Sequence, residues 1–297
     1  MLNEIFEYPF LLKIFNSLLF DKEKINLFHV SKFIYEKKHK FTFEDEYFCD
    51  EKYKNEWFFN CLTNIRIKKI FEFPKFVTKL KFDDYCGDIL KTHSGEVIKL
   101  PSTITHLTFG HHFNESIEGC DLNGITHLTF GNRFNKSIYD SIPYSVTHLT
   151  FGNCFNRPIY NCIPNSVTHL TFGDNFNHPI YDCIPNSVEY LTYGDNFDQF
   201  IQNHIPKNVK YLTFGRKFDC PIVNSIPNSV THLKFGQLFS RNLDVLPDSI
   251  THLYLSSSYD KTISRFPRNL QFLEAGKEFI SNFKHLINNN VIINYCF

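Results

Sequence analysis

Ile163-Pro164-Asn165-Ser166-Val167-Thr168-His169-Leu170-Thr171-Phe172-Gly173-Asp174-Asn175-Phe176-Asn177-His178-Pro179-Ile180 is one copy of a unit that recurs through most of this 297-residue chain. Its leucine has counterparts at Leu107, Leu128, Leu149, Leu191, Leu212 and Leu233, each 21 residues apart, and then at Leu253 and Leu273 at a spacing of 20. Glycine returns at Gly110, Gly131, Gly152, Gly194, Gly215 and Gly236, with phenylalanine three positions after each, from Phe113 to Phe239. Proline precedes the leucine by six at Pro101, Pro143, Pro185, Pro206, Pro227, Pro247 and Pro267. Pro74 stands in the same relation to Leu80, which places the start of a first coil there. A fixed period of this length marks a solenoid, whose ordinary work is binding.

Each recurring letter has a mechanical task. Val167, Leu170 and Phe172 suit a short strand that buries alternate side chains and turns the others outward, so one parallel strand per coil is expected. Proline fixes φ and removes a backbone donor, so Ile-Pro-Asn-Ser reads as the corner before the strand. Glycine after the strand serves the opposite corner, through φ > 0 or through close backbone approach. The Phe-Asn pair offers a ring to the interior and an amide to the free backbone groups of the bend. Asn114, Asn135, Asn156 and Asn177, continued by Asp198 and Asp219, are read as a ladder from coil to coil. No single coil buries enough to fold alone, so stability belongs to the array. About ten such strands at about 4.8 Å spacing make a sheet long enough to hold a protein on its concave side.

Composition narrows the function classes. Lysine plus arginine and aspartate plus glutamate number 31 each, so no net charge points to nucleic acid or to a membrane surface. Residues 101–240 hold eight basic and ten acidic side chains, whereas residues 1–81 hold fifteen and twelve, which suggests a boundary near residue 73. No apolar run is long enough to span a bilayer, and the stretch Phe10–Phe20 is broken by Lys13 and Asn16, unlike a signal peptide. Nine cysteines with no Cys-x-x-Cys pair argue against a disulfide framework and a zinc module. Free thiols in an intracellular, cytoplasmic setting are expected. Cys162 and Cys183 occupy equivalent positions in adjacent coils, and buried or rim thiols are the favoured reading.

Ahead of the repeats the periodicity turns helical. Leu11, Leu12, Ile14, Phe15 and Leu18 share a face, and Ile25, Leu27, Phe28 and Val30 continue after the polar break Asp21–Lys24, which gives two or three short helices over residues 8–40. Pro9, Leu11, Leu12, Ile14, Phe15, Leu18, Leu27, Val30, Ser31 and Lys32 resemble an F-box, a small helical module. That resemblance implies a Skp1-type adaptor protein as partner, gripped by Pro9, Leu11, Leu12, Ile14, Phe15, Leu18, Val30, Ser31 and Lys32. The same helices also suit a cap over the solenoid end, although the Val-Ser-Lys triplet and the proline are not needed for capping. Residues 44–73 read as a connector and cap in which Ile65-Arg66-Ile67 alternates like a strand.

The coils resemble the FNIP family, whose Phe-Asn-x-Pro-Ile motif stands here as Phe155-Asn156-Arg157-Pro158-Ile159 and Phe176-Asn177-His178-Pro179-Ile180. The resemblance spans roughly residues 74–280 and implies a leucine-rich-repeat-like receptor. FNIP repeats behind an F-box are a combination of amoebal proteins and of the large DNA viruses that infect amoebae, which would place a viral copy in host cytoplasm. It implies delivery of bound cargo to a cullin-RING ubiquitin ligase. The expected fold class is α/β: an F-box-like helical module over residues 1–43, the connector over 44–73, about ten coils of a leucine-rich-repeat-like solenoid with one parallel sheet over 74–280, and a C-terminal cap over 281–297 carrying a last strand.

Candidate chemistry gathers in one column. His106, His127, His148, His169, Tyr190, Tyr211, His232 and His252 each precede the strand leucine, a position that faces away from the core beside Thr108, Thr129, Thr150, Thr171, Thr192 and Thr213. Imidazoles so placed suggest metal, but no carboxylates or thiols converge on them, and neither metal nor cofactor is expected. A stripe of histidine, tyrosine and threonine suits a protein interface and is the first choice for cargo contact. Crowded imidazoles oppose one another's protonation, so binding there is expected to weaken below about pH 6. Phosphate-binding loops, nucleophile elbows and metalloprotease motifs are all missing, so a non-enzymatic protein is expected. Two readings stand: a substrate-recruiting adaptor of an SCF-type ligase, and a stand-alone scaffold or decoy. The eccentric coils at Asp121-Leu122-Asn123-Gly124 and Ser256-Ser257-Ser258-Tyr259 are the places to seek cargo selectivity.

Overall fold

The computed structural model describes residues 97–296 without interruption and, before them, residues 47–48, 64–67, 73, 77–84 and 90. The positions that resemble an F-box, and Pro74, lie outside the described residues. Among the described residues, thirteen parallel strands form one sheet in simple chain order. They are β1 (Tyr47–Phe48), β2 (Asn64–Ile67), β3 (Lys79–Phe82), β4 (His106–Thr108), β5 (His127–Thr129), β6 (His148–Thr150), β7 (His169–Thr171), β8 (Tyr190–Thr192), β9 (Tyr211–Thr213), β10 (His232–Lys234), β11 (His252–Tyr254), β12 (Phe272–Gly276) and β13 (Ile292–Cys296). The alternating Ile65-Arg66-Ile67 lies in β2, and the expected last strand is β13. The helix α1 (Lys277–Phe283) interrupts the pattern between β12 and β13.

The register is that of the sequence period: Leu149 pairs with Leu170, and His148 with His169. Each coil therefore lays the same letter over the same letter. Val167, Leu170, Phe172, Phe176, Ile180 and Ile184 are buried in one coil, and their counterparts above and below continue six apolar columns. Two of these are phenylalanine stacks. Phe151, Phe172 and Tyr193 follow one another at centroid distances of 5.6 Å, and within a coil Phe172 lies 4.0 Å from Phe176.

Three tight turns close each coil. Phe176 N–H donates to Gly173 O (3.2 Å), Cys183 N–H to Ile180 O (3.1 Å), and Val167 N–H to Pro164 O (3.1 Å). The second turn places its third residue in the left-handed region, at φ 50° for Asp140, 54° for Asn161, 49° for Asp182, 64° for Asn203 and 52° for Asn224. Aspartate and asparagine tolerate that region, and in the coil that turns from Ile117 to Cys120 the site is taken by Gly119 at φ 70°. The repeat glycines do not use it. Of the two roles open to them, close approach is the one realised: a Cβ on Gly173 would collide with the carbonyl of Gly152 in the coil before.

The asparagine ladder forms as expected. Asn135, Asn156, Asn177 and Asp198 each offer the backbone N–H to the side-chain oxygen one coil earlier, at 2.8, 3.0, 3.0 and 2.9 Å. Asp219 and Ser240 extend it at 2.9 and 2.7 Å. The ladder uses only the acceptor oxygen, so aspartate replaces asparagine freely.

Candidate functional site

The period-two alternation that buries the strand leucine sends its two neighbours to the other face of the sheet. There the eight predicted side chains form one continuous stack. His106, His127, His148 and His169 follow one another at centroid distances of 4.0 Å. Tyr190 joins at 4.1 Å, Tyr211 at 4.4 Å, His232 at 4.3 Å and His252 at 4.1 Å. The ring planes are near parallel, tilted by 28° at most, between Tyr211 and His232.

Each imidazole is held by a residue that the sequence reading did not single out. The threonine just before it places Oγ1 2.8 Å from Nδ1 at Thr105–His106 and 2.9 Å at Thr126–His127, Thr147–His148, Thr168–His169, Thr231–His232 and Thr251–His252. The hydroxyls of Thr126, Thr147 and Thr168 donate to the threonine carbonyl of the preceding coil at 3.2 Å. With its one hydrogen spent there, the hydroxyl accepts from Nδ1–H, which assigns the tautomer and leaves Nε2 for a partner. A signal for this was present in the chain. Every histidine of the column follows a threonine, whereas Tyr190 and Tyr211 follow Glu189 and Lys210, which pair with each other at 2.8 Å.

Four imidazoles of the column, His106, His127, His169 and His232, are held toward the neutral form. Burial, helped by the flanking imidazoles of His106, His148 and His169 and by Lys79, pushes His127 down to about 4. Burial lowers His106, His169 and His232 as well, with Lys79 and His148 acting on His106, His148 on His169, and His252 on His232; Glu189 pulls His169 the other way. Among the described residues, no three histidine, cysteine or acidic side chains are grouped to hold a metal ion.

The threonine column beside the rings runs from Thr108 to Thr213 and then breaks. Lys234, Tyr254 and Glu274 occupy its next three registers. They border a hollow of about 480 Å³ that also includes Tyr211 and His232. This is the stretch of the face where the coils cease to be copies. Of the two eccentric segments, Asp121–Gly124 uses Gly124 at φ 88°, and Ser256–Tyr259 holds its bend by Ser258 donating to Gln237 O at 2.8 Å. Neither segment lies on the strand face.

The thiols play no part in the column. Cys162 and Cys183 donate to Tyr160 O (3.2 Å) and Tyr181 O (3.1 Å), and burial raises both thiols. The six described cysteines are free.

Three contiguous stretches, 113–154, 155–196 and 196–238, match the family described as FNIP Repeat. Residues 113–238 are thus similar to FNIP repeats. The solved structure of CroV588, described as a novel circular LRR protein, is similar to the chain at 34% identity with a TM-score of 0.66. The match covers 78% of this chain and 40% of that one, so this chain spans well under half of its solved relative. No curated protein matches the chain. The parallel sheet of stacked coils and the likeness to the solved relative make the molecule a leucine-rich-repeat-like solenoid, with the imidazole stack on the sheet face outside its core. Among the described residues, no helix is long and apolar enough to cross a membrane.

Proposed function

We propose that the chain is a non-enzymatic, protein-binding repeat protein that recruits substrates to an SCF-type (Skp1-cullin-F-box) ubiquitin ligase. Cargo lies along the histidine, tyrosine and threonine columns, and residues 8–40 grip a Skp1-type adaptor. The observation that carries the binding part is the stack from His106 to His252: aromatic rings, fixed in orientation at little entropic cost, line a sheet face on which Tyr190 and Tyr211 are exposed. The ligase connection rests on the F-box resemblance of Pro9 to Lys32.

Co-expression with a Skp1-type subunit tests the connection. A complex is expected, and Leu11→Glu, Leu12→Glu and Ile14→Glu together should abolish it while the solenoid stays folded. Failure to form the complex, or indifference to those substitutions, returns the protein to the scaffold reading.

A further inference from the structure

The last strand of the sheet leaves one side unused. Ile292 N–H donates to Gln271 O at 2.8 Å, so Ile292, Asn294 and Cys296 turn their backbone groups toward β12. Strand alternation turns those of Ile293 and Tyr295 the other way. Where a strand has a successor, that direction is filled: Leu255 N–H donates forward to Glu274 O at 2.8 Å, and Ala275 and then Tyr295 follow Leu255 in register. Among the described residues no strand follows β13, so the N–H and C=O groups of Ile293 and Tyr295 face outward without a ladder.

The apolar columns are left open at the same place. Leu273 and Ala275 in β12 are buried, whereas Ile293, paired with Leu273, is only partly buried and Tyr295, paired with Ala275, is 46% exposed. Phe283 and Leu286, on the way into the strand, are also only partly buried against the core. On the other face Ile292 stands in the register of Phe272 and is 66% exposed. Solenoid ends need a polar outer face, and sheet edges are normally defended by charge, by proline or by a bulge. The strand Ile292-Ile293-Asn294-Tyr295-Cys296 has no charged residue and no proline.

The placement of the free groups selects the occupant. Two copies of β13 laid antiparallel about a twofold axis at Asn294 put Ile293 of each opposite Tyr295 of the other. Every outward N–H then meets a C=O, in the mutual pattern of a hydrogen-bonded antiparallel pair. Both residues lie on the core face, so each isoleucine packs on a tyrosine, a favourable cross-strand pair, and the two cores become continuous. A twofold interface demands this self-complementarity. A foreign strand would use the same backbone groups, but no charge on β13 selects its side chains.

We propose that this edge is the contact surface for a second copy of the chain, joined through β13 in an antiparallel, twofold dimer whose sheet runs on from one solenoid into the other. The test is sedimentation of the full chain over a dilution series. A mass of two chains that falls to one on dilution is expected. Tyr295→Pro removes a donor that points away from β12, a change that edge strands accept, and should raise the dissociation constant by about tenfold or more, with thermal unfolding of the dilute protein close to the parent. Ile293→Lys, which puts a charge on the same edge, should act likewise. Asn294→Cys locates the axis: opposed residues of a non-hydrogen-bonded pair have Cα atoms about 4.5 Å apart, within disulfide reach, so mild oxidation should yield covalent dimer well in excess of the parent. A single-chain mass at every concentration, association unchanged by Tyr295→Pro and Ile293→Lys, or open-ended growth without the Asn294→Cys cross-link, the mark of head-to-tail stacking, would overturn the proposal.

Discussion

Single residues in this chain are constrained by the coil above and below more than by their own turn. Gly173 shows it best, because its own φ is not in the left-handed region and it is the backbone of Gly152 and Asn153, one coil away, that forbids a side chain. Gly173→Ala should therefore destabilise the fold by about 3 kcal/mol, the upper range for overpacking a site that cannot relax, read as a drop in the urea midpoint. Tyr193 presents the opposite case. It stands in a phenylalanine column, wholly buried, with a hydroxyl that finds no partner. Tyr193→Phe restores the letter of its neighbours Phe172 and Phe214 and removes the orphaned group. An increase in stability of about 1 kcal/mol is expected from the same titration.

At the scale of the strand column, stacking and titration are one property. His106 and His127, with rings 4.0 Å apart on the half-buried sheet face, resist gaining charge, so the folded state holds fewer protons than the unfolded one. Unfolded histidines protonate below about pH 6.5, whereas folded His127 waits until about pH 4, so stability falls as pH drops through that window. Urea midpoints measured from pH 7.5 down to 4.5 should decline. The pair His127→Tyr and His148→Tyr, which copies the residues already present at Tyr190 and Tyr211, should flatten that decline. An unchanged slope would mean that other groups govern it. Within the column the eight rings were legible from their spacing, since strand alternation alone decides which side they take. The threonines that orient them were not picked out, because a hydrogen bond to the neighbouring ring leaves no periodic trace different from that of the ring itself. Its trace is the exchange of threonine for Glu189 and Lys210 where tyrosine replaces histidine.

For the whole molecule, the period did most of the work. A unit repeated every 21 residues leaves one way to bury its apolar letters, which is to place each over its copy, so the parallel sheet, the register from β4 to β12, the asparagine ladder and the six core columns were all determined by sequence. Tertiary structure decided what depends on distances between coils. It chose close packing over φ > 0 for the glycines that follow the strands and gave the left-handed corner to aspartate, asparagine and, once, Gly119. The strand β1 has no periodic signal and joined the sheet through pairing alone. The unpartnered Nδ1 of His204 was equally hidden, since a histidine in place of serine or cysteine is one substituted letter in sequence. Repetition fixes what is shared by every coil, because stacking acts on equivalent positions; what is peculiar to a few coils is settled by which neighbours the stacking happens to bring together.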